Sequence, residues 1–370
     1  MIISKLSIIN FKNIHQSDLF FSPKINCLFG DNGMGKTNLL DALYFLSFCK
    51  NHTNLSDVHL INHQEDFFVL QGSYSFGKEI EDVYVGLKRK QRKVFKRNKK
   101  EYARLSEHIG LLPLVMISPA DTELIQGGSE ERRKFVDLVI SQYDKEYLIA
   151  LIAYNKLLVQ RNKLLKDSHL AQDPVLYDII EEQMQENAAI VYTKRGSFVS
   201  SFFPVFDSFY KYISGGEEAI SFVYQSQLAA DSLISLLQNR RERDKSLGYT
   251  SVGIHKDDFD FLLGEHLIRK IGSQGQVKTY LIALKLAQFD FFVNTGISTP
   301  ILLLDDVFDK LDAKRVEKII ELVSQEQFGQ IFVTDTNRLY LDEIINNISS
   351  DYKIFQVSNG IISAEEPTRQ

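Results

Sequence analysis

The sequence predicts an α/β fold that contains a phosphate-binding loop and is interrupted by an inserted helical domain. Three observations predict it. A short apolar run, Ile25–Phe29, leads into Gly30-Asp31-Asn32-Gly33-Met34-Gly35-Lys36-Thr37 and then into an apolar helical segment. A second run, Ile301–Leu304, is apolar on both faces, as a buried parallel strand requires, and ends in Asp305-Asp306. Between Gly128 and Pro174 there is neither Gly nor Pro, and Phe135, Leu138, Val139, Leu148, Leu151, Ile152 and Leu158 recur at helical spacing.

Taken in order, Ile2–Ile9 alternates like a strand and is separated from Ile25–Phe29 by a polar turn. Asn38–Phe48 carries Leu39, Leu40, Leu43, Phe45, Leu46 and Phe48, which makes a strongly apolar helix. Alternating segments from Phe67 to Arg104, such as Asp82–Leu87, predict strands, with Arg97-Asn98-Lys99 as a hairpin tip. Three helical stretches follow: 129–173, Pro174 to Gly215-Gly216 with breaks near Gly196 and Pro204, and Ala229–Lys245. Strand texture returns at Tyr249–Ile254 and at a hairpin around Gly264-Glu265, followed by a helix over Gln276–Val293. Strand Gln330–Thr334, helix Leu339–Ile348 and an Asn359-Gly360 hairpin turn complete the pattern. The domains expected are 1–128, a helical arm over 129–247, and 248–370, which rejoins the first part.

At 370 residues, with 44% hydrophobic and 25% charged, the composition is that of a globular protein and excludes disorder as the main theme. No stretch approaches the roughly 18 apolar residues of a membrane span. The opening MIISKLSIINFKNI lacks the basic start and long apolar core of a signal peptide. Two cysteines, Cys27 and Cys49, cannot form a disulfide framework, so a cytoplasmic location is expected. The net charge of −5 excludes a uniformly basic nucleic-acid binder but not a local basic patch.

Residues 30–37 match G-x-x-x-x-G-K-[ST] in full. A chance match in this length is on the order of 1%, and the strand before and helix after supply the context the motif needs. Gly33 and Gly35 let the backbone curl so that consecutive N–H groups point inward at phosphate oxygens, and the helix beginning near Lys36 adds its positive end; the residues expected to bind the nucleotide are Gly30, Asp31, Asn32, Gly33, Met34, Gly35, Lys36, Thr37 and Asn38. Lys36 should reach the β- and γ-phosphates of ATP, and the Thr37 hydroxyl should ligate Mg²⁺. Such a site needs an acidic partner on a neighbouring parallel strand. Asp305 is the candidate on the metal side, and Asp306 stands where a carboxylate could orient the attacking water; a plain acidic cap of a strand–helix turn is the alternative.

Further motifs extend this reading. Ser273-Gln274-Gly275-Gln276 at a helix start resembles the signature loop of ABC-type ATPases, and Lys310-Leu311-Asp312 resembles their D-loop. LSIINFKNI shortly before the phosphate loop resembles the opening of the DNA-repair branch that includes the SMC proteins. More narrowly, GDNGMGKTNLLDALYFLS, SPADTELIQGGSEERRKFVD, TSVGIHKDDFDFLL, GSQGQVKTYLIALKLA and LLLDDVFDKLD resemble the RecF family of bacterial recombination mediators. The resemblance implies an ABC-type ATPase head, a mixed sheet with helices, carrying a helical arm in place of a long coiled coil. It implies ATP held between two subunits, Lys36 and Thr37 on one and Ser273 and Gly275 of the other closing on the γ-phosphate. It further implies duplex or gapped DNA as a ligand, an ATP-dependent homodimer, RecR and through it RecO and RecA as partners, and a nucleoid-associated location without membrane contact. Read alone, Ser273-Gln274-Gly275-Gln276 is a weak signal that favours an ordinary helix N-cap by Ser273, a role compatible with the trans contact. Two features depart from transporter ATPases: Val333-Thr334-Asp335-Thr336 offers no switch histidine, and Asp306 replaces the longer catalytic Glu. Both suit a slow switch. A transporter subunit and a non-hydrolysing ATP-binding scaffold are the alternatives.

From Lys88 to Lys100, nine of thirteen residues are basic: Lys88, Arg89, Lys90, Arg92, Lys93, Lys96, Arg97, Lys99 and Lys100. On a hairpin these could meet DNA phosphates, or they could simply keep an edge strand solvated. Arg132-Arg133 and Arg240-Arg241-Arg243 rank second for DNA. His255-Lys256-Asp257-Asp258 looks like a metal cluster but lacks a third ligand nearby, which favours a structural role.

Overall fold

Alternation in the N-terminal third and continuous apolar runs elsewhere produce two different sheets. The computed structural model describes the chain apart from 54–55, 168–173, 217, 310, 337–341, 343–344, 346–350 and 366–370. The first sheet is antiparallel throughout, in the order β2-β1-β4-β5-β6-β7. Its strands are β1 (Ile2–Phe11), β2 (Ile14–Phe20), β4 (Phe67–Phe76), β5 (Glu79–Lys88), β6 (Val94–Arg97) and β7 (Lys100–Glu101). β2 occupies the segment expected to be only a polar turn: Phe11 pairs with Ile14, so the chain reverses at Lys12-Asn13 and runs back along β1.

The second sheet takes the continuous runs β3 (Ile25–Phe29), β8 (Leu114–Ile117), β12 (Ile301–Asp305) and β13 (Ile331–Asp335). With β14 (Tyr352–Ser358) and β15 (Ile361–Ala364) the order is β15-β14-β3-β13-β12-β8, parallel except for the β14–β15 hairpin. Every residue of β8, β12 and β13 is buried, which is why these strands show no alternation. The α1 helix (Lys36–Phe48) contacts strands of both sheets and is buried on nearly all sides. An all-round apolar helix fits only such a place. Each of its fully buried Leu and Phe side chains contributes about 1.5–3 kcal/mol.

Contacts divide the chain into Met1–Thr122, Tyr212–Gly215 and Gln274–Gln370 as one unit, and Glu123–Lys211 with Gly216–Ser273 as the other. The first unit also holds α8 (Gln274–Asn294) and α9 (Ala313–Val323). The second is built from α2 (Thr122–Gln126), α3 (Ser129–Tyr143), α4 (Lys145–Lys166), α5 (Pro174–Ser214), α6 (Leu233–Leu247) and α7 (Ile268–Ile271). Its small sheet, β11-β10-β9, comprises β9 (Ile220–Gln225), β10 (Asp258–Leu263) and β11 (His266–Leu267). These units differ from the division at 129 and 247, because β10 pairs with β9 and so groups 248–273 with the helices.

Two expected details change. The helix α5 runs straight through Gly196 and Pro204. Phe198, Phe202, Phe206 and Tyr210 recur every fourth residue and are buried, and that packing outweighs the roughly 3 kcal/mol a proline costs inside a helix. Tyr249–Ile254 forms no strand: Gly253 sits at φ +122°, and the chain turns into a short 3₁₀ segment, Ile254–Lys256. Hairpins form as expected at Gly264-Glu265 and Asn359-Gly360. The expected helix 339–348 lies almost wholly outside the described residues. Among the described residues, no helix is long and apolar enough to cross a membrane.

Candidate nucleotide site and basic hairpin

β3 delivers the glycine loop to the carboxyl end of the parallel sheet, where crevices for ligands form in open α/β sheets. Gly30 follows β3 directly, and a Cβ there would lie 2.3 Å from the Val357 carbonyl oxygen on β14, so only glycine fits. Gly35 is the N-cap of α1 at φ +113°, a conformation that side chains resist. The first turn of α1 contains no acidic residue, which leaves its positive end open to an anion. Lys36 is buried, and its Nζ donates to the carbonyls of Gly30 at 2.7 Å and Asp31 at 3.2 Å.

Thr37 and Asp305, the residues expected on the metal side, lie in contact. Thr37 Oγ1 donates to Asp305 Oδ2 at 2.9 Å and Oδ1 at 3.1 Å. β13 lies between the strands that carry these two residues, and its Thr334 hydroxyl donates to Asp305 Oδ1 at 2.6 Å. Burial pushes the Asp305 carboxyl above its ordinary range; the charge of Asp306 adds to that, and the Thr334 and Thr37 hydroxyls oppose it. A buried carboxylate and a hydroxyl side by side, with a second acid next in sequence, form a hard oxygen donor set suited to Mg²⁺. Asp306 has φ +46°, outside the usual range for a side-chain-bearing residue, and its N–H donates to the Thr334 hydroxyl at 3.1 Å.

Several supporting residues carried no sequence signal. Asn13, in the β1–β2 turn, donates from Nδ2 to the Met34 carbonyl at 3.1 Å and accepts from Asn38 Nδ2 at 2.7 Å, which braces the loop from behind. The Gly360 N–H also donates to the Met34 carbonyl, at 2.9 Å. Lys278 on α8 donates to the carbonyls of Asp306, at 3.4 Å, and Asp309. These pairings depend on strand order, which local patterns do not encode.

Ser273 is exposed just before α8, whose first turn also lacks an acid. Gly275 lies in that first turn, where a Cβ would be 3.0 Å from Arg315 on α9. Asp312 of the D-loop-like segment caps α9, accepting from the Arg315 N–H at 3.0 Å; Lys310 lies outside the described residues.

Folding divides the basic run into two groups. Asn98 and Lys99 both have positive φ, as a two-residue hairpin turn demands. Arg97 pairs with Glu81, with Nε 2.6 Å from the carboxylate. Lys93 donates to Asp57 at 2.6 Å and to the Cys49 carbonyl, and Arg89 to the Glu65 carbonyl at 3.1 Å. Lys96 lies over the Tyr84 ring. Lys88, Lys90, Arg92, Lys99 and Lys100 are exposed.

The second-rank basic groups are partly structural. Arg132 is buried and pairs with Asp258 at 2.7 and 3.0 Å, and Arg241 with Asp178 and Glu181. Arg240 and Arg243 are exposed. His255 bonds Tyr154 and the Thr250 carbonyl, Asp257 pairs with Arg195, and the described residues contain no group of three or more His, Cys, Asp or Glu placed to hold a metal.

Comparison with known proteins agrees with this geometry. The family model of the RecF/RecN/SMC N terminal domain matches residues 2–363. A protein of Azobacteroides pseudotrichonymphae genomovar. CFP2 named DNA replication and repair protein RecF is 61% identical over 362 residues, covering 98% of this chain and 99% of that one. A relative of the same name in Parabacteroides distasonis is 58% identical over 366 residues, covering 99% of this chain and 100% of that one. Among solved structures, the recombination mediator protein RecF-ATP in the RecFOR pathway superposes with TM-score 0.86 at 28% identity, over 98% of this chain and 97% of that one. An SMC head bound to the C-winged helix domain of ScpA superposes at 0.58 with 16% identity, over 100% and 98% of the two chains, a likeness of fold alone. Matched along its whole length, with Thr37 and Asp305 joined as a P-loop ATPase requires, the chain belongs to the RecF family.

Proposed function

We propose that the chain is an ATP-dependent, DNA-binding clamp of replication and repair, in which nucleotide governs assembly and slow hydrolysis resets it. The observation that carries this reading is the Thr37–Asp305 contact, which joins the phosphate loop to the acidic strand. ATP lies along 30–38, with Lys36 turning from the loop carbonyls to the phosphates. Thr37 and Asp305 hold Mg²⁺, which when bound neutralises charge on the phosphate oxygens. Asp306 orients water for in-line attack, and its short side chain suits slow turnover.

In the assembled dimer, Ser273 and Gly275 of one subunit close on the γ-phosphate held by the other. Exposure of Ser273 and the acid-free first turn of α8 support that role. DNA meets Lys88, Lys90, Arg92, Lys99 and Lys100, the exposed members of the basic run. RecR, and through it RecO and RecA, are the partners that the family implies.

Release of inorganic phosphate from ATP, measured with and without gapped duplex DNA, tests the reading. Slow release that DNA accelerates is expected. No release in either condition, with ATP still bound, would make the protein a non-hydrolysing scaffold.

A further inference from the structure

The helical unit contains a cavity of about 250 Å³ that is unrelated to the nucleotide loop. It is lined by Arg133, Lys134 and Asp137 of α3 and by Tyr154 and Asn155 of α4. Arg195 and His255 complete it. Small-molecule pockets run to roughly 300–1,000 Å³, so this one is sized for a side chain.

The charges lining the cavity are compensated with one exception. Arg195 is held by Asp137 at 2.8 Å and Asp257 at 2.7 Å. Lys134 bridges Glu130 at 2.8 Å and Glu131 at 3.0 Å. Arg133 donates to the Asp257 carbonyl at 2.6 Å but forms no ion pair among the described residues. Burial, followed by repulsion from Arg195, pushes its guanidinium below the ordinary arginine value, against the opposing charges of Asp137, Asp257 and Asp258. A guanidinium so placed has donors left for a planar carboxylate, which it can bind in bidentate fashion.

The rim has the opposite character. Ile152 and Val159 stand three and four residues from Asn155, on the same side of α4, and are 48% and 68% exposed. Ile149 continues the apolar face at 66% exposure.

We propose that this cavity and the adjoining face of α4 form a docking site for another protein, which inserts an Asp or Glu side chain against Arg133 and lays apolar residues on Ile152 and Val159. Charge complementarity selects the acid, and the exposed apolar rim selects a peptide over a nucleic acid.

The test is selection of displayed random peptides on the full chain, followed by anisotropy titration of the enriched peptides against three proteins: wild type, Arg133→Gln and Ile152→Asp. Enriched peptides should share a carboxylate flanked by apolar residues. Their affinity should fall about tenfold or more in Arg133→Gln, as loss of a charged hydrogen bond implies. Ile152→Asp is exposed and leaves the core intact, so it should weaken the same peptides with an unchanged melting temperature. Peptides without a common acid, equal binding to wild type and Arg133→Gln, or no effect of Ile152→Asp would each overturn the proposal. Displacement of the peptides by a DNA oligomer that itself loses affinity in Arg133→Gln would overturn it in favour of a phosphate site.

Discussion

The hydroxyl of Thr37 donates to both carboxylate oxygens of Asp305, at 2.9 and 3.1 Å, across 268 positions of sequence. Thr334 fixes the same carboxylate from the intervening strand at 2.6 Å. The contact therefore depends on the strand order β3-β13-β12 and tests the sheet as well as the site.

Asp305→Asn keeps the shape and one acceptor oxygen for the Thr334 and Thr37 hydroxyls but removes the negative charge. ATP hydrolysis should fall on the order of 100-fold, while the unfolding free energy stays within about 1 kcal/mol of wild type. Thr37→Ser should retain activity and Thr37→Val should lose it. Phosphate release and urea unfolding check both.

Ser273→Arg places a bulky cation in the loop that, in the proposed dimer, closes on the nucleotide of the other subunit. The variant should bind ATP with normal affinity and remain monomeric by light scattering. Normal ATP-induced dimerisation would remove Ser273 from the dimer interface.

The basic hairpin should separate into two classes of variant. Lys99→Glu with Lys100→Glu alters only exposed groups, so DNA affinity should fall and the salt slope should shrink by about 0.9 for each phosphate no longer neutralised. Arg97→Ala instead breaks the pair with Glu81 and should cost up to about 1 kcal/mol of stability. Salt titrations of binding and chemical denaturation distinguish the two.

Stability should depend on pH through His255. Burial lowers its pKa from the ordinary 6.5 to about 4; the Thr250 carbonyl opposes the shift, and repulsion from Lys256 and Arg133 adds to it. The unfolded chain therefore takes up a proton at a pH where the folded chain does not. The contribution is complete above about pH 6.5 and is lost as pH falls towards about 4, amounting to about 3 kcal/mol. His255→Gln can still accept from Tyr154 and donate to Thr250, so its stability should vary less with pH over that window. Urea unfolding at several pH values is the measurement.

Much of the nucleotide site was legible because each half is a local pattern: a glycine loop after an apolar run, and two acids after another. The hairpin tip expected at Arg97-Asn98-Lys99 was legible for the same reason, although Arg97 itself pairs with Lys100 and only Asn98-Lys99 form the turn. Which basic residues of the hairpin remain exposed was not, since Arg97 finds Glu81 on the neighbouring strand and Lys93 finds Asp57 from another segment. Pro204 misled because a local breaker was outweighed by a face of buried aromatic rings. The extent of the helical unit depended on β9 pairing with β10, which neither strand announces in its own sequence.

The central claim is that nucleotide controls DNA binding. Fluorescence anisotropy of labelled gapped duplex DNA, titrated with the protein in ATP and separately in ADP, tests it most directly. Binding that requires ATP, weakens steeply with salt and disappears in Lys36→Ala is the predicted result. Equal binding in ATP and ADP, or none in either while ATP is still hydrolysed, would contradict it.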